Sequence, residues 1–217
     1  MLLHGWGASG ELMMPIAKSL KGYRFIVPDF YGFGNSRHPD YPLNLSDYAY
    51  GVVDILKKEE INRAIFICHS FGGRVGIYLS KETPELVEKL VLCNSAGILP
   101  RKSIKYYIKL WIYRIRKKLG LDVSKCGSKE YRELNSVMKK TFVNVVNFDQ
   151  SDSLRYIDCP TLIVWGKRDK TTPIYMAKKL NKNIANSQLV VFDRAGHFSY
   201  ADELGKFIFV VKRFLEG

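Results

Sequence analysis

Six short runs of consecutive apolar residues, spaced along 217 residues, constrain the fold more than any other feature of the chain. They are Leu2-Leu3, Phe25-Ile26-Val27, Ile65-Phe66-Ile67, Leu90-Val91-Leu92, Leu162-Ile163-Val164-Trp165 and Leu189-Val190-Val191-Phe192. A strand with one wet face alternates apolar and polar residues, whereas a strand covered on both faces is apolar throughout. Between the runs lie helical candidates at about 10–20, 45–59, 71–82, 172–181 and 202–215. Repeated strand–helix units predict a mostly parallel sheet with helices on both faces, an α/β architecture. Ligands in such sheets bind beyond the carboxyl ends of the strands. The rhythm breaks between 98 and 152, which predicts a core of 1–97 and 153–217 carrying a helical lid. No internal repeat or low-complexity linker interrupts this order.

The joint Cys68-His69-Ser70-Phe71-Gly72-Gly73 places a serine between a strand-like run and a helix-like run. A serine there sits on a sharp turn that pushes its hydroxyl out of the sheet, beside the free N–H groups of a helix N-terminus. This is the arrangement of a nucleophile elbow, G-x-S-x-G, with Cys68 in place of the first glycine. Capping of the following helix is the plainer reading of Ser70. A serine hydroxyl needs a base to become nucleophilic, usually a histidine oriented by a carboxylate. Of the four histidines, His197 lies directly after the last strand-like run, and Asp169 lies directly after the preceding one. Asp152 and Asp193 fit that position less well. His4 is expected to brace the loop His4-Gly5-Trp6-Gly7, and His38 to be exposed.

Acyl transfer also needs two N–H groups aimed at the developing negative charge. Phe71 N–H, just after the serine, supplies one, and Trp6 N–H in the glycine-rich loop is the candidate for the other. Trp6, His69, Phe71 and Phe198 are the expected substrate-binding side chains, with His69, whose neighbour on the tight turn points the other way, read as pocket wall or support. Asp29 and Ser36 are expected to brace the nearby loop. This chemistry requires no metal or organic cofactor.

Six ordered segments carry a family resemblance: HGWG at 4–7, DFYGFGNS at 29–36, CHSFGG at 68–73, LVLCNSAG at 90–97, CPTLIVWGKRD at 159–169 and AGHFSYADE at 195–203. Together they resemble the α/β-hydrolase superfamily, whose chain order is Ser, Asp, His. The resemblance implies a Ser70–His197–Asp169 triad and hydrolysis of an ester-like bond through an acyl-enzyme. The HGWG form is most similar to small-molecule carboxylesterases acting on short acyl or pimeloyl esters. It is also similar to carbon–carbon bond hydrolases of ring-fission products. A non-catalytic ligand-binding protein on the same scaffold is the third reading. Members of the family usually carry a two-stranded hairpin before the HG loop, and this chain starts at what would be the third strand. Phe25–Val27 is therefore expected at a bare sheet edge, which invites pairing with another chain. The lid, at roughly 55 residues, is short.

Composition narrows the partners. The net charge of +13 favours anionic surfaces or substrates, and 101–118 holds eight Lys/Arg with no acid. In that stretch Ile104, Ile108, Trp111, Ile115 and Leu119 recur at helical spacing, with Lys102, Lys105, Lys109 and Arg116 on other faces. A lid helix with a solvated cationic face is the reading preferred over contact with a membrane surface or steering of an anionic substrate. No zinc-finger, RRM or helix-turn-helix signature accompanies the charge, so nucleic acid is not expected. No apolar run approaches the roughly 18 residues of a membrane span, and no secretory leader pattern opens the sequence. The four cysteines (Cys68, Cys93, Cys126, Cys159) lack paired spacing and are expected to be reduced, as in the cytoplasm.

Overall fold

The computed structural model describes residues 1–100, 111, 115, 116, 118 and 129–217. Among these, five strands form one fully parallel sheet in the order β1 (Leu2–Leu3), β2 (Ala64–His69), β3 (Val87–Cys93), β4 (Thr161–Gly166) and β5 (Ser187–Phe192). Helices with both ends among the described residues are α1 (Met14–Ser19), α2 (Leu45–Lys58), α3 (Phe71–Glu82), α4 (Lys129–Glu133), α5 (Ser136–Val146), α6 (Ile174–Asn183), α7 (Ser199–Asp202) and α8 (Leu204–Glu216). The expected α/β architecture with a doubly covered sheet is therefore present.

The continuous apolar runs are explained by two cores, one on each face. Successive strand residues point to opposite sides of the sheet. Leu3, Phe66, Leu92 and Trp165 pack on one side with α2, α3 and α6, through Leu56, Val75 and Ala177. Leu2, Ile67, Val91 and Val164 pack on the other side with α1 and α8, through Ile16, Phe207 and Val211. Along these runs neither face is left for water, so the runs carry apolar residues in both phases of the alternation. At the far end of α8, Lys89 on β3 donates to the carbonyls of Phe214 and Leu215 at 3.1 and 3.0 Å. A cation there meets the negative end of the helix dipole.

Phe25–Val27 is a correction to the sequence expectation, because it does not form a sixth strand. It lies beside β1 through one main-chain bond, from Leu2 N–H to Ile26 O at 2.9 Å. β1 is two residues long, which leaves too little ladder for a paired strand, and Pro28 removes a donor at the end of the segment. The basic stretch 101–118, with its apolar stripe, and Cys126 fall outside the described residues except for Trp111, Ile115, Arg116 and Lys118. Among the described residues no helix is long and apolar enough to cross a membrane.

Between β3 and β4 the chain returns to the core through α5. Thr141 Oγ1 accepts from Leu43 N–H at 3.0 Å, and Asn144 donates to Leu43 O at 3.2 Å. Arg74, buried on α3, donates to Phe148 O and Val146 O at 2.7 and 3.3 Å, at the carboxyl end of α5.

One of the close main-chain approaches in the fold is where α3 crosses the end of β1. A Cβ at Gly72 would lie 2.3 Å from Leu3 O, a backbone atom with no freedom to withdraw. Gly72→Ala is therefore expected to lower unfolding free energy by about 1–3 kcal/mol in urea denaturation. Gly205→Ala, with nothing within 4 Å of the added methyl, is the control and is expected not to destabilise.

Candidate active site

The site is assembled at the carboxyl ends of β2, β3, β4 and β5. β2 ends at His69 and α3 begins at Phe71, which leaves Ser70 alone to reverse the chain direction. Its backbone is forced to φ 49° and ψ −107°, a conformation that costs a non-glycine residue on the order of 1–3 kcal/mol. Two consecutive turns of structure hold it there. Ser70 N–H donates to Cys93 O at 3.1 Å, and Ser70 O accepts from Gly73 N–H and Ala96 N–H at 3.0 and 2.9 Å. The Ser70 hydroxyl does not cap α3. It points away from the helix instead and meets His197 Nε2 at 3.1 Å.

His197 follows β5, and its other ring nitrogen lies 2.8 Å from Asp169 Oδ2. The three side chains thus form one line of hydrogen bonds, although 127 positions separate Ser70 from His197. Asp169 follows β4, is 6% exposed and is surrounded by donors. Oδ1 accepts from Thr171 N–H at 2.7 Å and Thr172 N–H at 3.0 Å. Oδ2 lies 2.6 Å from both Asn94 Nδ2 and Thr172 Oγ1, in addition to His197. Burial opposes the charged form, but these bonds outweigh it and bring the carboxyl down to about 2. The alternatives to Asp169 are elsewhere: Asp193 pairs with Lys167 at the surface, and Asp152 is exposed.

The loop after β1 supplies the facing wall. His4 Nε2 accepts from Phe30 N–H at 3.0 Å, so the ring proton is on Nδ1, which donates to Gly5 O at 2.7 Å. Burial lowers the His4 pKa and keeps the ring neutral, as a brace requires. His4 O accepts from Gly72 N–H at 3.0 Å, which ties the loop to the first turn of α3. Asp29 fixes the next segment, accepting from Gly10 N–H at 2.7 Å and Asn35 N–H at 2.8 Å, while Ser36 donates to Asp29 O at 2.6 Å. Among the described residues no acceptor takes Trp6 N–H or Phe71 N–H.

The expected substrate-binding side chains divide. Trp6 is half-buried, with its ring edge-on to Phe33, Phe71 and Phe142 at 4.8, 5.4 and 5.2 Å, and Phe142 comes from α5. Phe198 is 42% exposed beside His197. Phe71 and His69 are buried, at 3% and 2% exposed, so Phe71 does not line an open pocket and His69 takes the supporting place of its two expected ones. The Phe71 ring is packed into the core against Phe30 and Tyr48, at 5.1 and 5.0 Å. His69 is turned behind His197, where its Nε2 lies 2.9 Å from His197 O. A side chain on a tight turn cannot follow its neighbour outward. Sequence reasoning missed Asn94 and Thr172. Asn94 stands in the segment LVLCNSAG with φ 45°, yet only its spatial neighbours reveal its partner.

The α/β-hydrolase family model matches residues 1–207 of the chain. A pimeloyl-[acyl-carrier protein] methyl ester esterase from Vibrio campbellii is 25% identical over 99% of this chain and 93% of its own length. A 2-hydroxymuconate semialdehyde hydrolase from a Pseudomonas species is 28% identical over 99% of this chain and 86% of its own length. Among solved structures, an esterase from Exiguobacterium antarcticum superposes with a TM-score of 0.80 at 22% identity, covering 100% of this chain and 91% of that one. With its parallel sheet, its strand-end site and a family match over nearly its whole length, the chain belongs to the α/β-hydrolase family.

Proposed function

We propose that the protein is a serine hydrolase that cleaves a small-molecule carboxylic ester or thioester through an acyl-enzyme. The observation that carries this reading is the unbroken contact from Ser70 Oγ to His197 Nε2 and from His197 Nδ1 to Asp169, at 3.1 and 2.8 Å. Ser70 Oγ attacks the acyl carbonyl while His197 Nε2 takes its proton. Asp169 holds the Nδ1 proton and stabilises the imidazolium. The tetrahedral oxyanion is held by Trp6 N–H and Phe71 N–H. His197 then returns the proton to the departing alcohol or thiol. In the second half, water gives a proton to His197 as it attacks the acyl carbon, and Ser70 leaves with that proton. The products are an acid and an alcohol or thiol. The apolar rings around Trp6 suit an acyl chain, and the segment 98–152 acts as the lid over it.

Carbon–carbon bond cleavage by the same residues is favoured by the similarity to the 2-hydroxymuconate semialdehyde hydrolase. A carboxylated dienol substrate would call for a cationic side chain in the pocket. Among the described residues, Arg74 is the buried arginine nearest Ser70 in the chain, and its guanidinium is spent on the carbonyls of Val146 and Phe148. The ester reading is therefore preferred.

Two outcomes test the proposal. A fluorophosphonate probe is expected to label the protein once and to leave Ser70→Ala unlabelled, with hydrolysis measured on esters of graded acyl length. Labelling that persists in Ser70→Ala would refute the assignment. The second outcome concerns Asp169. Its folded carboxyl titrates at about 2 against an ordinary 3.8, so its charge stabilises the fold above pH 3.8 and that contribution is lost as pH falls toward 2. Asp169→Asn is expected to flatten the stability curve in that window by about 2 kcal/mol. It is also expected to slow probe labelling on the order of 10⁴-fold, because the amide favours the wrong imidazole tautomer.

A further inference from the structure

The loop that carries His197 is held by its main chain in a way that the side-chain triad does not require. Three consecutive carbonyls each accept from the end of a different strand. Ala195 O accepts from Arg168 N–H after β4 at 3.0 Å. Gly196 O accepts from Asn94 Nδ2 after β3 at 3.1 Å. His197 O meets Nε2 of His69, the last residue of β2, at 2.9 Å. A carbonyl only accepts, so His69 Nε2 must carry the ring proton. The loop is thereby pinned across the sheet rather than along it.

The His69 ring has no room to choose another pose. Phe198 lies against it with ring centroids 4.9 Å apart and planes 32° apart, and Tyr200 meets it edge-on at 5.1 Å. On the other side, Gly5 is so close that an added Cβ would be 3.0 Å from His69 Nδ1. A ring flip would turn a carbon toward the His197 carbonyl. We infer that His69 is a positioning residue: its Nε2–H fixes the His197 carbonyl and so sets the approach of the His197 imidazole to Ser70. This rests on the Ser70–His197–Asp169 reading. Burial, then the neighbouring His197, push the His69 pKa down to about 3 despite Asp169 nearby, so the donor stays neutral and single-tautomer at neutral pH. His4 is the other titratable group that acts on it.

The test separates a donor from a packing residue. His69→Phe keeps a flat ring and removes the N–H, whereas the amide of His69→Gln reaches the position of Nε2. In the intact protein, His69→Phe is expected to lower the limiting rate of fluorophosphonate labelling by on the order of 10- to 100-fold with the half-saturating probe concentration unchanged. His69→Gln is expected to recover most of that loss. Nitrogen-15 NMR of the wild type at pH 7 is expected to find the His69 proton on Nε2, a measurement that needs no variant to fold. A proton on Nδ1, wild-type labelling by His69→Phe, or equal losses in the Phe and Gln variants would each overturn the inference and leave the triad standing. A wild type that does not label, or a His197→Ala variant that labels as fast, would overturn the serine-hydrolase reading and this inference with it.

Discussion

The contact on which the rest of the site depends is the pressing of α3 against the chain that follows β1. Gly72 N–H meets His4 O at 3.0 Å, and the space beside Leu3 O is too small for any side chain at position 72. This contact fixes two things at once. It sets where α3 begins, and so forces the whole reversal from strand to helix onto Ser70. It also holds the loop of Trp6 beside the first free amide of that helix. The strain at Ser70, on the order of 1–3 kcal/mol, is offset by three main-chain hydrogen bonds within one residue's reach. A looser junction would let Ser70 relax into the helix, and its hydroxyl would then cap α3 instead of facing His197.

Burial treats the ionisable groups at this rim differently, and the difference follows from their partners. His4 and His69 each give one ring proton to a carbonyl, have little to gain from a second proton, and are held neutral by desolvation. Asp169 is as buried in surface terms, yet five donors converge on its two oxygens and keep it charged. The thiols of Cys68 and Cys93, buried in the sheet with no such donors, are pushed up and behave as small apolar fillers. The charge of Asp169 therefore stands beside neutral histidines and thiols, and it lies on the far side of His197 from Ser70.

Much of this was legible in the sequence, and the reason is local. Leu162-Ile163-Val164-Trp165 announces a doubly covered strand because each residue's surroundings follow from its own phase. Ser70, Asp169 and His197 were legible because each leaves the end of such a strand, and parallel strands bring their ends to one rim. Side-chain direction was not. His69 and Phe71 flank the serine in sequence, Phe71 expected in the pocket and His69 as its wall or a support, but the turn at Ser70 sends both rings into the protein. Asn94 and Thr172 were missed because their worth lies in contacts 75 and 3 positions away, and the nearer one depends on how the loop after β4 closes. Phe25–Val27 has the composition of a strand, but pairing depends on the neighbour, and β1 offers a single bond.

Arg74 links the chemistry of the rim to the segment between β3 and β4. It lies one helical turn after Ser70 on α3, so its position is set by the same junction that strains the serine. A buried guanidinium is costly unless carbonyls replace its water. Here the carbonyls of Val146 and Phe148 do so, and they are free because α5 has just ended. Gln150 closes the arrangement by donating to Arg74 O at 2.9 Å, while its own N–H meets Gly97 O at 3.0 Å. The departing and returning ends of the segment are thus fastened at one point. α5 is carried from that point to bring Phe142 against Trp6. The space beside Trp6 is consequently shaped from the same helix that begins after Ser70, through a cation satisfied by main chain.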